Sequence, residues 1–142
     1  MANKYQIAVI GGGPGGYVAA IRAAQLGFKT IVIDKDNLGG ICLNWGCIPT
    51  KSLLKNAEML DNLNSHGKDF GIYAKDITFN FQEIIKRSRD IADRISKNVE
   101  ILVKKNKIER VRGFGKLISQ NEIQVSDKDG KKLDTITADN II

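Results

Sequence analysis

Cys42 and Cys47, the two cysteines of this chain, lie in the run Gly39-Gly40-Ile41-Cys42-Leu43-Asn44-Trp45-Gly46-Cys47-Ile48-Pro49-Thr50-Lys51. Four residues separate them, so the two thiols can join and part within one short loop. Metal is the competing use of paired thiols. Two cysteines and the one histidine, His66, do not complete a tetrahedral zinc set. The pair therefore reads as a redox couple that gains or loses two electrons. One unit upstream stands Gly11-Gly12-Gly13-Pro14-Gly15-Gly16, with G-x-G-x-x-G at Gly11, Gly13 and Gly16.

That glycine pattern is weak alone and strong in this context. It follows a predicted strand over Gln6–Ile10 and opens a predicted helix over Tyr17–Leu26, which Gly27 stops. A second apolar strand, Thr30–Ile33, ends at Asp34. Two apolar strands joined by a helix make a βαβ crossover with parallel strands. Gly11 suits the tight turn, Gly13 lets a pyrophosphate approach the backbone, and Gly16 lets helix and strand pack closely. The helix N-terminus offers free N–H groups to phosphate, and Asp34 offers an acceptor to an adenosine ribose hydroxyl.

The glycine loop does not choose between FAD and NAD; the cysteine run does. A dinucleotide running from Gly13 along the strand ends reaches Gly39–Lys51 with its far end. A tightly held flavin beside a dithiol is a workable two-electron relay, whereas nicotinamide is usually a diffusing substrate. Cys47 is expected at the start of a helix from Pro49 to Leu63, where the helix dipole favours a thiolate. Lys51 lies four residues on, on the same helix face, and its charge favours a thiolate or a reduced, anionic flavin. Cys42, on the loop, is expected to be the more accessible thiol. This order puts Cys42 on the substrate side and Cys47 on the flavin side.

The rest of the chain must hold these pieces. His66–Thr78 reads as a loop. Phe81–Lys107 is the longest helical pattern, with Phe81, Ile84, Ile85, Ile91, Ala92, Ile95, Val99, Leu102 and Val103 as its apolar stripe. After Ile108 the period changes to two. Glu109–Gly113, Phe114–Ser119, Glu122–Val125 and Lys132–Thr137 read as short strands of a small antiparallel excursion, turning at Gln120-Asn121 and Asp129-Gly130. The fold class is therefore α/β: a Rossmann-like FAD-binding domain with a parallel sheet, a long helix and an antiparallel excursion.

Charge and hydropathy exclude other classes. The 142 residues carry 22 basic and 16 acidic groups, a net charge of +6. The basic residues alternate with acidic ones through Lys86–Lys107 without interleaved aromatics, which argues against nucleic acid. No apolar run approaches the roughly 18–20 residues of a membrane span. Met1 leads almost directly into the first strand, so no targeting segment is expected, and the compartment expected is the cytoplasm, the alternative being a matrix protein whose presequence is gone. The apolar end at Ile141-Ile142 reads as the stop of a truncated chain.

The run from Gly39 to Leu54 resembles the redox-active disulfide signature of the flavin-dependent pyridine nucleotide–disulfide oxidoreductases. Its Cys-Leu-Asn-x-Gly-Cys-Ile-Pro-Thr-Lys form is most similar to the dihydrolipoamide dehydrogenases among them. The resemblance covers Tyr5 to Ile142. It implies that Cys42 is the interchange thiol meeting dihydrolipoamide, that Cys47 is the thiol in contact with the flavin, and that Lys51 sits beside flavin N5. It implies FAD contacts for Gly11, Gly13, Pro14 and Gly16, and for Ile33, Asp34, Lys35, Gly39, Gly40 and Cys42. The Gly113-Phe114-Gly115 turn matches a segment touching the adenine end, with Gly115 as the contact. The resemblance also implies NAD as electron acceptor, a homodimer, and a lipoyl domain of a 2-oxoacid dehydrogenase complex as partner. Residues 1–142 would be the N-terminal part of the FAD-binding domain. The NAD domain and the interface domain with its His–Glu base would lie outside them, so the chain alone is expected to be inactive. The rival readings are another disulfide reductase, of the glutathione type, and a stand-alone flavin or thiol redox module.

Overall fold

The computed structural model describes residues 4–142. Strand β1 (Lys4–Ile10) leads through the glycine loop into helix α1 (Pro14–Gln25) and strand β2 (Thr30–Asp34). Two helices follow, α2 (Gly40–Asn44) and α3 (Cys47–Asp61). A π-helical turn (Asn62–His66) and a 3-10 turn (Gly67–Phe70) precede the long helix α4 (Phe81–Lys105). Strands β3 (Glu109–Arg112), β4 (Phe114–Ser119), β5 (Glu122–Ser126) and β6 (Lys132–Ile141) complete the chain.

The six strands are ordered β3-β2-β1-β6-β5-β4. β1 pairs in parallel with β2 and with the second half of β6, and β2 pairs in parallel with β3. β4, β5 and the first half of β6 form an antiparallel meander. Two expectations are corrected here. Glu109–Arg112 belongs to the parallel sheet, not to the antiparallel excursion, because the helices between β2 and β3 return the chain in the same direction, as a crossover must. And β6 runs on past Thr137 to Ile141, because one strand serves both parts: its Lys132–Thr137 half faces β5 and its Thr137–Ile141 half lies beside β1. The Gln120-Asn121 and Asp129-Gly130 turns stand where the sequence puts them.

The parallel sheet is buried on both faces. Ala8, Ile31, Ile33 and Ala138 of the parallel sheet pack with the meander residues Ile123, Val125 and Ile136. Val9 and Val32 face Ala20 of α1 and Val99 and Val103 of α4. The alternation along β1 and β2 follows from the period-two pleat. Helix α4 packs on a narrower face than its apolar stripe suggested. Its buried residues are Ser88, Ala92, Ser96, Val99 and Val103, while Phe81, Ile85 and Leu102 are exposed. Small side chains at three- and four-residue steps let α4 approach closely. Asn80 caps its start, accepting from the Glu83 N–H at 3.3 Å.

Candidate redox and dinucleotide site

The glycine loop joins the end of β1 to the start of α1. Gly11 takes φ +102°, a conformation that L side chains rarely adopt, and its N–H donates to the Ile33 carbonyl at 2.8 Å. A β-carbon at Gly16 would overlap the Gly11 carbonyl oxygen, so this glycine is what lets α1 begin against the turn. Around Gly13 a β-carbon would meet nothing within 4 Å. Gly13 is also the N-cap of α1, with no side-chain cap and no acidic residue in the first turn. The positive end of the helix is therefore open on that side. Gly12, which the fingerprint leaves unassigned, lies tight under the Leu38 side chain of the β2–α2 connection: a β-carbon there would force the Leu38 methyl to shift.

Asp34 ends β2 with both carboxylate oxygens engaged. Oδ2 accepts the Gly12 N–H at 2.5 Å and Oδ1 accepts the Asp36 N–H at 2.8 Å. The residue expected to hold a ribose thus also fixes the glycine loop, and each oxygen keeps a lone pair for a further donor. Beside it lies a cleft of about 260 Å³, lined by Ile10, Gly11, Ile33, Asp34 and Lys35 together with the Gly113-Phe114-Gly115 turn. Gly115 lies against the strand ends, where a β-carbon would come within 3.2 Å of Ile10 and 3.3 Å of Ile33. The Lys35 ammonium stands 5.2 Å from the centre of the Phe114 ring, a cation–π distance. Residues far apart in sequence, Gly11, Asp34, Lys35 and Gly115, meet here. Phe114, within the turn named for the adenine end, joins them, and so does Ile10, which had not been singled out. Phe114 was legible as an aromatic between two glycines, whereas Ile10 carried no signal beyond its strand.

Cys42 and Cys47 form a disulfide, with their Cα atoms 4.7 Å apart. The segment expected to be a loop is two helices meeting at Trp45-Gly46, with Cys42 inside α2 and Cys47 the first residue of α3. Lys51 follows one turn later on α3, exposed. The expected order of accessibility is reversed: Cys42 is half-buried and Cys47 is exposed. Cys42 is covered because it is helical and packed into the fold, not carried on a free loop.

Two glycines bring this segment to the nucleotide loop. Gly39 and Gly40 take φ +100° and +58°, and a β-carbon at Gly40 would stand 2.8 Å from the Gly13 Cα. The Gly39 N–H donates to the Gly12 carbonyl at 2.7 Å. The disulfide helices are therefore docked directly on the glycine loop. His66 stands apart, exposed, with Nδ1 3.7 Å from Asp69.

The arrangement fits an extended dinucleotide on chemical and steric grounds. An open helix N-terminus suits a diphosphate, the Asp34 cleft suits a nucleoside, and the disulfide helices abut Gly13 through Gly40. Among the described residues no helix is long and apolar enough to cross a membrane.

Comparison with known proteins agrees with this geometry. The family model described as pyridine nucleotide-disulphide oxidoreductase matches residues 5–142. A dihydrolipoyl dehydrogenase of Rhizobium etli is 50% identical over 126 residues, which are 88% of this chain and 26% of that protein. The dihydrolipoyl dehydrogenase of Corynebacterium glutamicum is 49% identical over 143 residues, covering 100% of this chain and 30% of its own length. That of Zymomonas mobilis is 45% identical over 132 residues, 93% of this chain and 28% of the relative. The chain thus spans under a third of the length of these relatives. With the match running through both the glycine loop and the disulfide helices, the chain belongs to the pyridine nucleotide-disulphide oxidoreductase family.

Proposed function

We propose that these residues are the amino-terminal, FAD-binding part of a dihydrolipoamide dehydrogenase, which oxidises protein-bound dihydrolipoamide and passes the electrons to NAD. The observation that carries the reading is the Cys42–Cys47 disulfide docked through Gly40 on the open end of the nucleotide loop. Relatives bearing the name dihydrolipoyl dehydrogenase support the choice of substrate. The natural partner is then a lipoyl domain of a 2-oxoacid dehydrogenase complex, met by a homodimeric whole protein in the cytoplasm.

Gly11, Gly13, Pro14 and Gly16 would hold the diphosphate of FAD at the start of α1. Ile33, Asp34, Lys35 and Gly115 would hold its adenosine, and Gly39, Gly40, Cys42 and Lys51 would border its flavin. Bound there, FAD supplies an acceptor for two electrons. The chain's own residues do the thiol chemistry. A dihydrolipoamide thiolate attacks Cys42 Sγ, the Cys42–Cys47 bond breaks, and Cys47 leaves as a thiolate. The second lipoyl thiol then attacks the mixed disulfide, closing the lipoamide ring and freeing Cys42. One dithiol is oxidised and one disulfide reduced, with two electrons moved. Cys47 at the first turn of α3, with Lys51 one turn away, is placed to keep its thiolate charge. The exposure of Cys47 is compatible with this order, because a flavin on that side would cover it.

The test is to add dihydrolipoamide to the oxidised chain in the presence of FAD. One lipoamide and two alkylatable thiols should form per chain, and Cys42→Ser should form no lipoamide. Failure of the wild-type chain to exchange would overturn the reading, and preferential reduction by glutathione would favour the glutathione-type alternative. The 142 residues hold one glycine fingerprint and one exposed histidine, so continuous reduction of NAD by them alone is not expected.

A further inference from the structure

We propose that Asn44 and Ser96 are positioning residues for the Cys42–Cys47 couple, acting through the backbone carbonyls of Asn37–Gly40. The inference rests on the redox reading of that disulfide. Neither residue carries chemistry of its own.

Asn44 lies between the two cysteines and is 4% exposed. Its amide Nδ2 donates to the carbonyls of Gly40 at 2.9 Å, Leu38 at 3.2 Å and Asn37 at 3.4 Å. Ser96, on the buried face of α4 and 3% exposed, donates from Oγ to the same Leu38 carbonyl at 2.7 Å. That carbonyl thus takes one donor from inside the disulfide motif and one from a helix 58 residues away.

The Asn37–Gly40 segment is the joint between the two halves of the site. The Leu38 side chain is fully buried and fills the space over Gly12, Gly39 bonds to Gly12, and Gly40 abuts Gly13. Cys42 follows two residues later on α2, a helix of five residues without a side-chain cap. A helix this short does not hold itself in water. What fixes it is the joint, and Asn44 and Ser96 are the side chains that clamp the joint's carbonyls. By holding Cys42 in place opposite Cys47 they lower the entropic cost of closing the disulfide. The identities follow: Asn44 must be a donor, because a carboxylate there would face three carbonyl oxygens.

Redox titration of the oxidised chain against dithiothreitol tests this. The couple's own balance is simple: dithiothreitol closes to its ring disulfide while Cys42 and Cys47 become thiols. Using dithiothreitol makes the result independent of the substrate assignment. Ser96→Ala and Asn44→Ala should each shift the equilibrium toward the dithiol roughly five- to tenfold, the weight of one or two buried hydrogen bonds. Ser88→Ala, on the same buried face of α4, should leave it unmoved. Alanine is a better helix former than serine, so Ser96→Ala stays folded even if Asn44→Ala does not. Urea unfolding should show Ser96→Ala weakening the oxidised chain more than the reduced one, by the same factor. Equal weakening of both forms with an unmoved equilibrium would overturn the positioning role while leaving the redox reading intact. A wild-type chain that exchanges with dithiothreitol but not with dihydrolipoamide would remove the substrate reading alone.

Discussion

Asp34 shows how much one side chain at this site does. Its two oxygens take backbone N–H groups from the glycine loop and from its own turn. Asparagine has the same shape but one oxygen, so Asp34→Asn turns an amide NH₂ toward one of those N–H groups. We expect it to cost about 1–3 kcal/mol of stability, the range for a charge-assisted bond lost and a donor left facing a donor. Urea unfolding of the chain measures this, and an unchanged midpoint would show that Asp34 does not hold the loop. Of the candidate site residues, Asp34 was legible from its place at a strand end, and Gly39 and Gly40 from their nearness to Cys42. Gly12 was not, because the side chain packed against it, Leu38, is one apolar residue in a connection with no periodicity.

At the scale of elements, strand pairing depends on ties the sequence does not advertise. The Tyr5 hydroxyl of β1 donates to Glu109 of β3 at 2.6 Å, reaching across the edge of β2. Burial first, then the bond to Glu109, pushes the Tyr5 hydroxyl well above the ordinary tyrosine range. The folded chain therefore keeps a proton that the unfolded chain releases above about pH 10, and stability falls as pH rises from there. Tyr5→Phe should cost about 1 kcal/mol at neutral pH and make that alkaline fall shallower, as read from unfolding midpoints between pH 8 and pH 11. An equally steep fall in the variant would place its origin elsewhere. Helix α4 shows where periodicity reads well and where it misleads. Its length and register were legible, but Ser88 and Ser96 line the buried face while Phe81 and Leu102 do not. Polar type hid them, because a buried serine is recognised only by the carbonyl it meets.

For the whole molecule, the sheet carries helices on one face and the meander on the other, which leaves β3 and β4 as its edges. β4 pairs with β5 on one side only, leaving its other edge open, and it exposes Leu117 and Ile118. Such an edge is a template for another copy. The chain should self-associate as concentration rises, and Leu117→Lys should shift it toward monomer in sedimentation velocity. A wild-type chain that stays monomeric at high concentration would refute this.

The sequence by itself determined the βαβ start, the turn positions, the long helix, and the cysteine run that closes as a disulfide. Each is a local matter of residue type and spacing. Only the tertiary structure decided that Glu109–Arg112 joins the parallel sheet, that β6 serves two neighbours, and that Cys42 is helical and the less exposed thiol. Those outcomes turn on contacts between residues tens of positions apart: Gly40 on Gly13, Ser96 on Leu38, Gly115 on Ile33. Spacing along a chain fixes which groups are near in sequence, whereas packing density decides which of them may touch.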